Sequence, residues 1–129
     1  MSKEIKNKYE MGDIVFVKQY SYQNKELGEN HMFVVIDDED NSVSIEYFGL
    51  IVSSHREKAK DNSIFKYNEP LDASPENGLK KDSIVKCDQV YNIPKENIAF
   101  KIGSVDVDDF YRFMKSFQNY LMELEKVTN

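Results

Sequence analysis

The chain has two histidines, and both lie at the ends of apolar runs that are typical of strands. His31 begins the run HMFVVI, and His55 follows the run GLIVSS. Imidazole exchanges protons near neutral pH, and the hydroxyls of Ser53 and Ser54 directly precede His55. If the two runs meet in space, these residues supply proton transfer and hydroxyl contacts at one place. A histidine at a strand start is also commonly structural or simply exposed, so the sequence leaves both interpretations open.

Other familiar kinds of site are excluded by the spacing of residues. The five glycines stand alone, so there is no glycine-rich loop to hold a phosphate, and no nucleophile elbow occurs. Two distant histidines and one cysteine do not make a zinc pattern. In the acidic segment DDEDN, Ser42 replaces the glycine that a calcium loop needs, and Phe48 occupies its closing glutamate position. We expect no metal and no cofactor.

The length and composition predict one globular domain over residues 1–129, with residues 1–10 as a flexible N-terminus. Eight Phe and eight Tyr supply material for a core. The charged N-terminus does not have the pattern of a signal peptide, and no apolar run approaches the roughly 20 residues that cross a bilayer. The single cysteine, Cys87, reads as a small apolar strand residue and suits a reducing compartment. These features predict a cytoplasmic protein that makes no membrane contact.

The net charge of −6 argues against a protein that coats nucleic acid through a broad basic face. A local basic site is still possible, because the segment SSHREKAK carries Arg56, Lys58 and Lys60 against one acidic residue, Glu57. Such a segment is also typical of a solvated loop.

The apolar pattern predicts an α+β domain, mostly β, built as a small, strongly bent antiparallel sheet or barrel that ends in one long helix. Residues 20–30 read as a long polar loop, and Gly49 as a bulge or bend. Strands are predicted at residues 13–19, 31–37, 42–54, 62–67, 82–93 and 99–105. From Asp106 onward an apolar stripe recurs with helical spacing, at Phe110, Phe113, Met114, Phe117, Leu121 and Leu124.

The order of the segments resembles the MazF/PemK group of toxin–antitoxin ribonucleases over residues 11–125. MGDIVFV, HMFVVI and IVSSHREKAK occur in that order, and the most specific part is GLKKDSIVKCDQV followed by KIG. The resemblance implies an SH3-like antiparallel barrel with a long C-terminal helix, usually assembled as a homodimer. It also implies cleavage of single-stranded RNA without a metal, and inhibition by an acidic antitoxin.

The resemblance further implies where an active site would lie. The family's catalytic arginine, in an Arg-Pro pair before the second strand, falls on His31. Its catalytic threonine, in a Thr-Ser pair at the end of the third strand, falls on Ser53. Serine keeps the hydroxyl, whereas histidine titrates near neutral pH and arginine does not. We therefore expect His31 and His55 to act as proton-transfer groups, and Ser53 to hold a phosphate oxygen.

Five further residues are predicted to bind substrate. Arg56 would stabilise charge on the phosphate, and Ser54 would contact the substrate beside Ser53. Asn30, Tyr20 and Tyr22 would stack on or hydrogen-bond to unpaired bases.

Loss of the family arginine also fits a function without catalysis. The same fold serves toxins that bind gyrase, and it would serve a phage or plasmid accessory protein that only makes protein contacts. The sequence pI near 4.9 favours such a binding module, because an RNA-cleaving protein gains affinity from positive charge.

Overall fold

A computed structural model describes residues 9–21, 27–38, 46–54 and 66–128. The strands in these ranges are β1 (Asp13–Ser21), β2 (Leu27–Asp38), β3 (Glu46–Ser53), β4 (Asn68–Leu71), β5 (Ser83–Lys86), β6 (Tyr91–Pro94) and β7 (Ile98–Ser104). One turn of 3-10 helix, Lys95–Asn97, joins β6 to β7, and the helix α1 spans Val107–Thr128.

The sheet is antiparallel and closes on itself. β2 pairs with both β1 and β3, and β3 also pairs with β6. β6 then returns to β1 where Asn92 lies opposite Ser21. β7 adds to the other side of β1, and β5 and β4 extend from the end of β3. The prediction of a small, mostly β barrel with a long C-terminal helix is confirmed.

Both faces of the central strands are buried, which is why their sequences are nearly continuous apolar runs. One cluster lies under α1 and includes Val34 and Phe113. The other consists of alternating side chains of β1, β2, β3 and β6, among them Phe33 and Tyr47. Consecutive residues of β2 therefore belong to opposite faces, and the side of the sheet that holds Phe33 is the side away from α1.

The helix begins where the sequence predicts. The Asp106 carboxylate accepts a hydrogen bond of 2.7 Å from the backbone N–H of Asp109 and so caps the first turn. Phe113 is completely buried, whereas Leu121 and Leu124 are 44% and 45% exposed. Only the first part of the apolar stripe is therefore core, because α1 continues beyond the edge of the sheet.

Two predicted elements are wrong, and a third is wrong in the part that the structure describes. Residues 20–30 are not one loop, because β1 continues to Ser21 and β2 already begins at Leu27, with Gln19 opposite Glu29. Cross-strand hydrogen bonds hold these polar residues in a ladder that their side chains do not indicate. The predicted strand at residues 82–93 is two strands, β5 and β6, separated by a turn at residues 87–88. Of the predicted strand at 62–67, residues 66 and 67 form a turn and the rest lies outside the described residues.

The predicted irregularity at Gly49 lies instead in the neighbouring strand. The register shifts between Val35 and Asp37 of β2, opposite Gly49. Gly49 itself is needed for close packing, since a Cβ there would lie 2.8 Å from Ile93 Cδ1 and 3.2 Å from the carbonyl oxygen of Val34.

Candidate active site

His31 lies in β2 opposite Val17, and its side chain is half-buried. Its ring meets the ring of Phe33 edge-on, with the centroids 6.1 Å apart. The backbone N–H of Met32 donates a hydrogen bond of 3.1 Å to His31 Nδ1. Because Nδ1 accepts here, the neutral ring carries its hydrogen on Nε2. The contacts with Phe33 and the Met32 N–H thus hold the imidazole in one orientation.

Ser53 is the last residue of β3, on the strand next to His31. The β2–β3 ladder ends with Met32 opposite Val52, and His31 and Ser53 are the next residue of each strand beyond that last pair. Phe33 and Ile51 belong to one core cluster, so the alternation of side chains along each strand places His31 and Ser53 on the same face of the sheet. The fold therefore brings together the two residues on which the family's catalytic pair falls. Ser53 keeps 8% of its surface exposed, so access to its hydroxyl is narrow.

Two further polar residues are linked to His31 through the ring of Phe33, and the sequence did not indicate them. The Tyr91 hydroxyl donates a hydrogen bond of 3.2 Å to Gln89 Oε1. The Tyr91 ring lies 5.4 Å from that of Phe33, which in turn contacts His31. Gln89 precedes β6, which begins at Tyr91, so no strand periodicity in DQVY indicated the two residues together.

The structure describes some of the other predicted site residues fully, some in part and some not at all. Asn30 immediately precedes His31, is exposed, and adopts a left-handed backbone conformation with φ of 52°. Asparagine tolerates that conformation better than most residues. Ser54 is exposed and lines a cavity together with Met32. The backbone of Tyr20 pairs with Gly28, and nothing is described of the Tyr20 side chain. Tyr22, His55 and Arg56 lie outside the described residues.

Two reactive side chains elsewhere have structural roles. Cys87 is fully buried, and burial raises the pKa of its thiol far above the usual value, so it is not a nucleophile. Arg112 joins α1 to β4 through a bond of 3.0 Å to Glu69, and a second bond of 2.8 Å to Asp109 lies within α1. Burial opposes the charge of Arg112, but these two hydrogen bonds outweigh it and raise the pKa of the guanidinium. Within the described ranges, no three His, Cys, Asp or Glu side chains are grouped to hold a metal ion.

Comparison with known proteins identifies the family. The model of the PemK-like, MazF-like toxins of type II toxin–antitoxin systems matches residues 10–121. The chain belongs to this family. Its fold is similar to that of the toxin MazF-mt6 of Mycobacterium tuberculosis, with a TM-score of 0.64 and 16% identity, over 84% of this chain and 95% of that chain. No curated protein matches the sequence.

Membership in this toxin family implies an antitoxin as partner, and toxins of the family typically form dimers. MazF-like toxins are typically endoribonucleases. In the part of the chain that the structure describes, α1 is the one long helix, and it is too polar to span a membrane.

Proposed function

We propose that this MazF-like toxin is a metal-independent endoribonuclease of single-stranded RNA. The observation that carries the proposal is that His31 and Ser53 lie directly beyond the last β2–β3 pair, Met32 with Val52, in a chain of a family that typically cleaves RNA. An imidazole N–H and a hydroxyl are hydrogen-bond donors that suit the oxygens of a phosphodiester. The products are a 2′,3′-cyclic phosphate and a 5′-hydroxyl.

In this reaction the RNA 2′-oxygen loses its proton and forms a bond to phosphorus, while the bond from phosphorus to the 5′-oxygen breaks. Negative charge accumulates on the non-bridging oxygens. His31 Nε2–H and the Ser53 hydroxyl donate hydrogen bonds to those oxygens, and donors of this kind act mainly by stabilising developing charge. The N–H of His31 thus stabilises these oxygens in place of the charge of the family arginine.

The proton transfers are assigned to a different group. Because the Met32 N–H donates to His31 Nδ1, His31 is assigned the role of a hydrogen-bond donor through Nε2. His55 is the other histidine of the chain. We assign to it the uptake of the 2′-hydroxyl proton and its delivery to the departing 5′-oxygen.

The test is cleavage of a defined single-stranded RNA, in the presence and absence of EDTA, with analysis of the product ends. The wild type should cut in EDTA. Ser53→Ala and His31→Ala should each reduce the rate by about 10²–10³-fold, the usual cost of one such donor. His31→Gln and His31→Arg keep an N–H donor and should retain more activity than His31→Ala. Gln118→Ala, at an exposed position of α1, is the matched control.

Two results would overturn the proposal. If the folded wild-type protein leaves the RNA intact, the chain is a binding module without catalysis. This is the alternative that the net charge of −6 favours. Cleavage by His31→Ala at the wild-type rate would remove the proposed site. Equal loss of activity in His31→Arg and His31→Ala would instead assign proton transfer to His31.

A further inference from the structure

A cavity of about 580 Å³ lies between β7, the adjoining face of β1 and β2, and the loop at residues 78–83. Met32 and Ile102 contribute apolar surface to it. Its other prominent groups are two phenylalanines and three lysines, Phe16, Phe100, Lys80, Lys81 and Lys101. Among the residues the structure describes, those lining this cavity include no carboxylate.

The two phenylalanines form a stacked pair. Phe16 and Phe100 lie opposite each other on β1 and β7, with ring centroids 5.3 Å apart and planes inclined by only 13°. Phe100 is nevertheless 55% exposed. The ring therefore presents apolar surface at the rim of the cavity. Such a surface suits an unpaired nucleobase, because every base has a π-face that stacks on an aromatic ring.

The lysines give this cavity positive charge in a chain of net charge −6. Lys80 and Lys81 are exposed, and no ion pair involves either of them within the described ranges. Lys101 is partly neutralised, because its Nζ lies 3.3 Å from an Asp13 oxygen. The neighbouring carboxylate of Asp82 is bound to the backbone N–H of Ala73, at 2.8 Å.

The loop that carries Lys80 and Lys81 is fixed against β7. Gly78 and Gly103 allow the two segments to touch, since a Cβ on Gly78 would lie 2.4 Å from the Ile102 carbonyl oxygen. Asn77 is buried, and its Oδ1 accepts a hydrogen bond of 3.0 Å from the backbone N–H of Leu79. The cavity is therefore formed before any ligand binds, which lowers the entropic cost of binding.

We propose that this cavity binds one unpaired nucleotide of single-stranded RNA, with its base stacked on Phe100 and the adjacent phosphates near Lys80 and Lys81. The inference rests on the proposed function and extends it. Met32 lines the cavity, whereas His31, one residue before it, belongs to the opposite face of β2. The bound nucleotide is therefore a different one from the nucleotide whose phosphate is cut.

Binding is measured by fluorescence anisotropy with a labelled oligothymidylate of about 12 nucleotides, which lacks the 2′-hydroxyl and is not cleaved. Phe100→Ala should weaken binding about fivefold or more, and Phe100→Trp should restore it. Replacing Lys80 and Lys81 together by Ala should lower the slope of log K against log salt by about 1.4. Tyr111→Ala and Lys115→Ala, an aromatic and a lysine on α1, are matched controls and should bind like the wild type.

The outcomes separate this inference from the nuclease proposal. If the wild type cuts RNA while Phe100→Ala and the double lysine variant bind the oligothymidylate normally, the cavity assignment is wrong and the nuclease stands. If the wild type does not cut but binds the probe through Phe100, the nuclease proposal fails and the cavity stands. If Phe100→Ala turns a dimer into a monomer in sedimentation analysis, Phe100 belongs to an interface between copies and the cavity assignment is overturned.

Discussion

Replacing Gly103 by alanine tests how closely β7 packs against the loop that precedes β5. The added Cβ would lie 2.5 Å from the backbone carbon and oxygen of Asn77 and 2.6 Å from the carbonyl oxygen of Glu76. All of these are backbone atoms, so no side-chain rotation relieves the clash. Ordinary contact begins near 3.4 Å, so the loop has to move away by about 0.9 Å.

The cost follows from that movement. Forcing an extra methyl group into a packed contact costs about 1–3 kcal/mol. The shift also strains the bond of 3.0 Å from the Ser104 N–H to the Glu76 carbonyl, and a bond of this kind contributes about 1 kcal/mol. We expect Gly103→Ala to lower the free energy of unfolding by about 2–4 kcal/mol, out of a typical total of about 5–15 kcal/mol. For a domain of this length that corresponds to a melting temperature lower by roughly 6–20 °C.

Substitutions at two other glycines distinguish the free-energy cost of a steric clash from that of backbone strain. Gly12 has φ of 94°, but its added Cβ would meet nothing closer than 3.6 Å, so Gly12→Ala carries the strain alone, about 1 kcal/mol or slightly more. Gly78 combines φ of 70° with the clash against Ile102 and should be the most damaging position. Urea unfolding followed by circular dichroism measures the order of stability of the three variants. A Gly103→Ala variant as stable as the wild type, or Gly12→Ala as the least stable of the three, would refute this reasoning.

The remaining predictions concern catalysis, the core and the thiol. If His55 transfers the protons, the cleavage rate should change with pH between about 5.5 and 8. His31→Arg should then show the same pH profile as the wild type. If the profile becomes flat in His31→Arg, the titrating group is His31. Phe113→Ala should cost about 3–5 kcal/mol in urea unfolding because its ring is fully buried, whereas Leu121→Ala, on the same stripe but exposed, should cost well under 1 kcal/mol. Cys87 should not react with a thiol reagent in the native protein and should react once urea unfolds it, because burial raises its pKa; fast labelling of the folded chain would contradict its place in the core.

Much of the architecture was predictable because it depends on local patterns. The helical spacing from Phe110 to Phe117 and the acidic cap at Asp106 define the start of α1 without any tertiary information. The runs that became β1 and β2 are apolar enough to be strands in any arrangement. The extension of their hairpin to Ser21 and Leu27 was not predictable, because cross-strand hydrogen bonds between polar residues leave no periodic signal.

The candidate site was likewise predictable only in part. The sequence indicated His31 and Ser53 through their resemblance to a catalytic pair, but the pairing of Met32 with Val52 is what brings them side by side. Gln89 and Tyr91 were missed because their link to His31 depends on the contact of Tyr91 with Phe33, a residue more than fifty positions earlier in the chain.

By itself the amino-acid sequence determined the strand-forming runs, the helix and its cap, and the family, because each of these is recorded in the identity and spacing of neighbouring residues. Only the tertiary structure decided which residues meet: the register between β2 and β3, and the approach of Gly103 to Asn77 that places Lys80 and Lys81 beside Phe100. The physical reason is that register and close packing arise between segments distant in the chain, where one shifted residue would turn every side chain of a strand to the other face.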